Sequence, residues 1–279
     1  MMGKIQPVSY LFVPGMRTDR ISKALAAGAD AVVVDWEDAV AEADKAAART
    51  LLADYFAVGG APVWLRINAA GSVHYAADVA ALRTLPDIIG VLLPKTESAA
   101  QVEDLARACG RPVLAVLETA AGLCALGGIA GARGLYALSY GCLDLCCQLG
   151  IRTGSAAAAD FFRRIGFDLL LHSQANGLAA PVATIFPDFC DEAGLADYAA
   201  YAADAGFGGM LCIHPNQLPT VHRAWQPDAA ALAEAAQIVA QADAVGEAVF
   251  AVNGKMADKP LIEQSRRLLE RAKRCGGAA

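Results

Sequence analysis

The chain has 279 residues, 56% hydrophobic and 19% charged, with a net charge of −6 and a pI of about 5.2. That acidic balance argues against a nucleic-acid surface as the main function, and the length suits a single α/β barrel as well as two smaller domains. No run approaches the roughly 20 apolar residues of a membrane helix, and MMGKIQPVSYLFVPG lacks the apolar stretch of a secretory signal, so a soluble cytoplasmic protein is expected.

Eight apolar or β-branched runs follow one another: SYLFV (9–13), AVVVD (31–35), VWLRI (63–67), IIGVLL (88–93), VLAVLE (113–118), LYALSY (135–140), VATIF (182–186) and MLCI (210–213). Alanine-rich stretches long enough for a helix separate most of them. Parallel strands need such crossovers. Eight units predict a TIM-type (β/α)8 barrel, with polar strand ends converging on one mouth. An extra helix is expected within 151–180, where Phe161, Phe162, Ile165, Leu169 and Leu170 recur at helical spacing. Beyond the last strand, Pro227-Asp228 starts a helix that Gly246 ends. A turn-rich piece, VFAVNGKMADKP, and a final amphipathic helix, LIEQSRRLLERAKR, follow. The division is thus a barrel over 1–226 and a C-terminal helical lid or arm over 227–279, placed on its own barrel or on a neighbouring copy.

Several strand ends carry residues suited to chemistry. Glu118 and Asp144 follow consecutive strands, and two such carboxylates with open positions suit Mg²⁺, which takes oxygen ligands and keeps waters or substrate oxygens; the plain alternative is a helix cap or loop carboxylate. Arg66 is placed to hold a carboxylate bidentately or to pair with Glu37 or Asp38. Asp35, Glu37 and Asp38 form an acidic turn that requires a cation, a hydrogen-bond network or shifted pKa values, unless it is simply solvated. Lys95 is either an imine-forming nucleophile or, more simply, a partner of carboxylates. Arg17, Arg20 and Lys23 make a phosphate site or a charged helix face. His214 reads as a hydrogen-bonded structural residue before Pro215, with a general base as the alternative. The cluster Cys142, Cys146 and Cys147 lacks paired zinc spacing and reads as buried apolar thiols.

The segments LFVPGMRTDRISKALAAGADAVVVDWEDAV, VWLRINAAG, GVLLPKTES, LAVLETAAG, LSYGCLDLCCQLG, FPDFCDEAGL, GFGGMLCIHPNQL and NGKMADKPLIEQSRRLL run almost end to end. Together they resemble the citrate lyase β-subunit-like group of the HpcH/HpaI aldolase superfamily, which includes malyl-CoA and citramalyl-CoA lyases. The resemblance implies a TIM-like barrel with a C-terminal lid, often trimeric, and Mg²⁺ held by Glu118 and Asp144. It implies that Arg66 binds the carboxylate of a 2-oxo acid and that Arg17, Arg20 and Lys23 line the coenzyme A end. It further implies that Asp258, in GKMAD, reaches the active site of an adjacent subunit as the catalytic acid. The expected reaction makes or breaks a carbon–carbon bond in a 3-hydroxyacyl-CoA thioester, giving a 2-oxo acid and an acyl-CoA. Arg66 orients the acid, the Glu37/Asp38 turn takes the hydroxyl proton, and Lys95 assists in binding. Rival outcomes are a malyl-CoA-type thioesterase, a CoA-independent metal-dependent aldolase and a non-catalytic CoA-binding subunit. Two positions depart from the group: Ala121 where ETARG has arginine, and Leu143 where GAEDL has glutamate. Both suggest a less charged or differently shaped acid in the pocket.

Overall fold

The computed structural model describes residues 6–245 and 249–276. They fall into two compact units, Gln6–His222 and the part of the chain from Arg223 onward. In the first unit the strands are β1 (Ser9–Pro14), β2 (Ala31–Asp35), β3 (Val63–Arg66), β4 (Ile88–Leu93), β5 (Val113–Leu117), β6 (Leu135–Tyr140), β7 (Val182–Ala183) and β8 (Gly209–Cys212). The helices are α1 (Ile21–Ala26), α2 (Lys45–Ala57), α3 (Tyr75–Leu82), α4 (Ala99–Cys109), α5 (Ala120–Cys124), α6 (Leu126–Ala130), α7 (Cys142–Leu149), α8 (Ala156–Ala175) and α9 (Glu192–Ala205), with α10 (Leu218–Trp225) leading into the second unit.

All eight strands are parallel, in the order β6-β5-β4-β3-β2-β1-β8-β7. The arrangement is a nearly closed TIM-type barrel. Its seam lies between β6 and β7, where Ala179 N–H donates to the Tyr136 carbonyl at 3.0 Å. The sequence run VATIF forms only a two-residue strand, because the chain leaves β8 after Ala183.

Side-chain parity explains both the core and the mouth. Every strand sends at least one residue inward to a single cluster: Tyr10, Val33, Trp64, Leu92, Leu114, Ala137, Val182 and Leu211 among them. Their neighbours, such as Val32, Val34, Leu65 and Val91, are buried on the other face under the helices, as expected of a parallel sheet covered on both sides. A side chain two residues further along a strand stays on the same face. Thus Val33 leads to Asp35, Trp64 to Arg66 and Val116 to Glu118, each emerging inward at the C-terminal rim. The interior itself is filled: a Cβ on Gly90 would collide with the Trp64 ring.

In the second unit, α11 (Ala229–Val245), a hairpin of β9 (Phe250–Val252) and β10 (Lys255–Ala257), and α12 (Lys259–Gly276) follow one another. The turn-rich piece is therefore a hairpin. Asn253 and Gly254, with φ of 51° and 76°, form its two-residue loop, the left-handed pair that suits the twist of a hairpin. Ile238, Ala242, Val252, Ala257 and Ile262 form the unit's own core. Gly246, the expected helix terminator, lies outside the described residues.

Cys109, Cys124, Cys142, Cys146, Cys147, Cys190 and Cys212 are free thiols. Within the 142–147 cluster Cys146 is buried, Cys142 half-buried and Cys147 exposed, because adjacent positions on α7 are rotated by a fraction of a turn. Among the described residues no helix is long and apolar enough to cross a membrane.

β8 can approach β1 closely only because position 209 lacks a side chain. A Cβ there would sit 2.6 Å from the carbonyl oxygens of both Pro7 and Val8, and Val8 also accepts from Met210 N–H at 2.7 Å. Gly209→Ala is expected to lower stability by about 1–3 kcal/mol through overpacking, seen as a lower urea midpoint with an unchanged m-value.

Candidate active site

The mouth encloses a cavity of about 390 Å³ lined by Asp35, Asp38, Arg66, Glu118 and Asp144, with Phe12, Leu143, Ile185, Leu211 and Ile213 among its apolar walls.

Asp35 ends β2 directly opposite Arg66 on β3. Its carboxylate receives Arg66 Nε at 2.8 Å and Nη2 at 2.7 Å, a bidentate pair that fixes the guanidinium plane. The same two oxygens accept the backbone N–H of Glu37 at 2.8 Å and of Ala39 at 3.1 Å. Asp35 therefore builds the acidic turn while holding the arginine. From beneath, the buried Lys45 donates its ammonium to the carbonyls of Trp36 (2.8 Å) and Glu37 (2.7 Å). Arg66 Nη1 lies 3.2 Å from Glu37 Oε2 and 3.3 Å from Asp38 Oδ2, and its guanidinium rests 4.9 Å over the Phe12 ring. Both functions read for Arg66 remain open to it: it pairs with the acidic turn and also lines the cavity.

At the end of β4, Lys95 takes a left-handed backbone, φ 48°, unusual outside glycine. That conformation lets its backbone N–H donate to Glu118 Oε1 at 2.8 Å. Its ammonium pairs closely with Glu37 and stands 3.8 Å from Glu118 Oε1. Burial works to lower the Lys95 pKa, but the carboxylates of Glu37, Glu118 and Asp38 outweigh it and raise the value. Lys95 is thus a protonated partner of carboxylates, which is the opposite of what an imine-forming amine needs.

Glu118 is almost wholly buried, 4% exposed. Its carboxyl pKa is pushed up to about 7, first by burial, then by the charge of Glu37 and, against the pull of Lys95, by Asp144. Burial likewise raises Glu37, whose Oε2 has the Arg66 guanidinium beside it but no aligned hydrogen bond. Gly141, the residue before α7, is required here, since a Cβ would collide with the Glu118 side chain. Asp144 sits in the first turn of α7. Glu118 and Asp144 thus line one cavity, an oxygen-only donor pair with excess negative charge. Such a pair fits a hard divalent cation that keeps waters or substrate oxygens.

The remaining sequence candidates lie elsewhere. Arg17, Arg20 and Lys23 are exposed on the segment after β1 and do not line the mouth cavity. Arg17 is paired bidentately with Asp19 at 2.8 and 2.9 Å. His214 caps a short 3-10 helix, its Nδ1 accepting from Asn216 N–H at 3.2 Å, and its ring stacks on Phe189 at 4.9 Å, a structural role. Asp258 belongs to the second unit, where its Oδ1 accepts the Leu261 N–H at 3.2 Å at the start of α12. Sequence reasoning passed over Lys45 as the support of the acidic turn, and over Asp35 as the partner of Arg66. A lysine opening the helix after an acidic turn was the available signal for the first.

The family model described as HpcH/HpaI aldolase/citrate lyase matches residues 8–215. A citrate lyase subunit beta-like protein of Mycobacterium tuberculosis is 38% identical over 266 residues, covering 94% of each chain. A (3S)-malyl-CoA thioesterase of Cereibacter sphaeroides is 33% identical, over 95% of this chain and 94% of its own. The crystal structure of CitE from M. tuberculosis in complex with magnesium, acetoacetate and coenzyme A superposes with a TM-score of 0.84 at 37% identity, covering 95% of this chain and 97% of that one. With its barrel, its strand-end carboxylates and these matches along nearly its whole length, the chain belongs to the HpcH/HpaI aldolase/citrate lyase family.

Proposed function

We propose that this protein is a Mg²⁺-dependent carbon–carbon lyase acting on a 3-hydroxyacyl-CoA thioester of the malyl-, citramalyl- or citryl-CoA type, releasing or joining a 2-oxo acid and an acyl-CoA. The observation that carries the reading is the pair Glu118 and Asp144 lining one cavity with an arginine that Asp35 holds in plane. The magnesium, acetoacetate and coenzyme A bound by the M. tuberculosis relative support it.

Glu118 and Asp144 would hold the ion, which supplies Lewis-acid stabilisation of developing oxygen charge. Arg66 orients the substrate carboxylate, and fixing the reacting groups in this way is a large share of catalysis in such a site. Lys95, locked to Glu37 and near Glu118, positions those carboxylates and opposes the rise in their pKa values. The Glu37/Asp38 turn takes the hydroxyl proton as the bond breaks, directly or through a water. The thioester fragment leaves as an enolate and is protonated at carbon by Asp258 of a neighbouring copy in a cytoplasmic homo-oligomer, a trimer in this reading. The segment 227–279 serves as the arm that presents that acid. Arg17, Arg20 and Lys23 attract the coenzyme A phosphates. Similarity to the malyl-CoA thioesterase favours one second reading, in which water attacks the thioester on the same site.

Glu118→Gln is expected to abolish Mg²⁺ binding by calorimetry and to lower C–C turnover on the order of 10²–10³-fold, with an unchanged circular dichroism spectrum. Full turnover of Glu118→Gln in the presence of chelator overturns the metal assignment. A thiol assay on the wild-type reaction separates the two readings: free coenzyme A accompanies hydrolysis, acyl-CoA accompanies cleavage.

Asp258→Asn is expected to lose turnover while still binding 2-oxo acid. Mixing it with Glu118→Gln under subunit exchange should restore part of the activity, since some sites then receive an intact acid and an intact ligand pair. Absence of rescue in verified mixed oligomers rules out an acid donated between copies.

A further inference from the structure

A second cavity, about 620 Å³, lies beside the β6–β7 seam and is bounded by α8 and α9. Its volume is in the range of ligand pockets. Small residues create it: Ala158, Ala159 and Gly166 on α8 line it together with Ala202 and Ala205 on α9. Aromatic rings wall it, including Phe162 stacked on Tyr140 at 5.5 Å and Phe186 at 6.0 Å from Tyr198. The Tyr140 and Tyr198 hydroxyls satisfy each other at 3.2 Å. This cavity adjoins the active site across a shared wall. Tyr140, Cys142, Thr184 and Ile185 line both, at the seam where β7 has left the ladder after two residues.

We propose that this cavity receives the hydrocarbon substituent of the 2-oxo acid, making the enzyme selective for acids with longer aliphatic or aromatic chains. The inference rests on the lyase reading and adds its substrate class. Strand order places β3, which carries Arg66, across the barrel from β7. A 2-oxo acid has its carboxylate and its substituent on opposite sides of the carbonyl carbon. With the carboxylate at Arg66 and the oxo oxygen on the Glu118/Asp144 side, the substituent is directed to the β6–β7 wall. That wall is apolar: Leu143, 43% exposed, and Ile185 face the mouth.

The test titrates the Mg²⁺-loaded protein with pyruvate, 2-oxobutanoate, 2-oxohexanoate and phenylpyruvate, alongside condensation assays with acetyl-CoA. Affinity is expected to rise by about fourfold per added methylene in the wild type, with phenylpyruvate well ahead of pyruvate. Ala159→Phe and Ala205→Phe, each filling the cavity, should flatten the series. A flat or falling wild-type series overturns the inference, even if a filled variant fails to fold. So does a series preserved in both folded variants, or variants that change only the oligomer mass, which would make the cavity a docking face for another copy. If pyruvate turns over but the series is flat, the cavity assignment falls and the lyase stands. If the series holds with no C–C turnover, the reaction falls and the cavity assignment stands.

Discussion

One buried carboxylate organises the mouth of this barrel. Asp35 accepts two hydrogen bonds from Arg66 and two from the backbone of the turn that follows it. Its four acceptor positions are thereby used, and the charge is matched by a guanidinium on the adjacent strand. Removing one member of such a pair strands the other in a low-dielectric site at a cost of about 3–5 kcal/mol. The geometry of Glu37 and Asp38 follows from Asp35, because the turn carrying them hangs on its oxygens. Lys45 secures the same turn from below through two carbonyls, so its backbone is fixed independently of the Glu37 and Asp38 carboxylates.

Charge then passes around the rim. Glu37 is shared between Arg66 and Lys95, and Lys95 between Glu37 and Glu118. The cations are too few for the carboxylates. The deficit shows at Glu118, where burial and the neighbouring charges of Glu37 and Asp144 lift the pKa to about 7. An acid held so far from its ordinary range marks a place where positive charge is wanted. The left-handed backbone of Lys95 belongs to the same design, since it turns the N–H to Glu118 while the ammonium pairs with Glu37 and stands 3.8 Å from Glu118. Strain of this kind persists where the surroundings over-determine it.

The barrel was legible because its signals are local: each strand is a short β-branched run, each crossover an alanine-rich stretch. The converging polar ends were legible by parity, since Asp35, Arg66 and Glu118 each lie two residues past an inward apolar residue. The Asp35–Arg66 bond was not, because it joins residues 31 apart and depends on the register of β2 against β3, which no local pattern encodes. Parity turns Asp35 inward, but nothing local sets its level against that of the arginine. The hairpin at 250–257 is the opposite case. Its Asn253-Gly254 loop is a local signal that a reading of the segment as mere turn overlooked. VATIF was overextended because β propensity does not show where a strand loses its partner.

The mouth is divided in two. Strands β2 to β5 supply Asp35, Arg66, Lys95 and Glu118, whereas β7, β8 and β1 supply Ile185, Leu211, Ile213 and Phe12. Asp144 stands at the border, with the apolar Leu143 beside it. A fully charged substrate would leave the second half of this surface facing polar groups it cannot satisfy, which is unfavourable. A fully apolar one would leave the carboxylates and Arg66 without partners of the right kind. The surface is matched by a molecule polar at one end and hydrocarbon at the other. The small residues of α8 and α9 matter for the same reason: they leave room behind the apolar half, in the one place where the strand ladder is open.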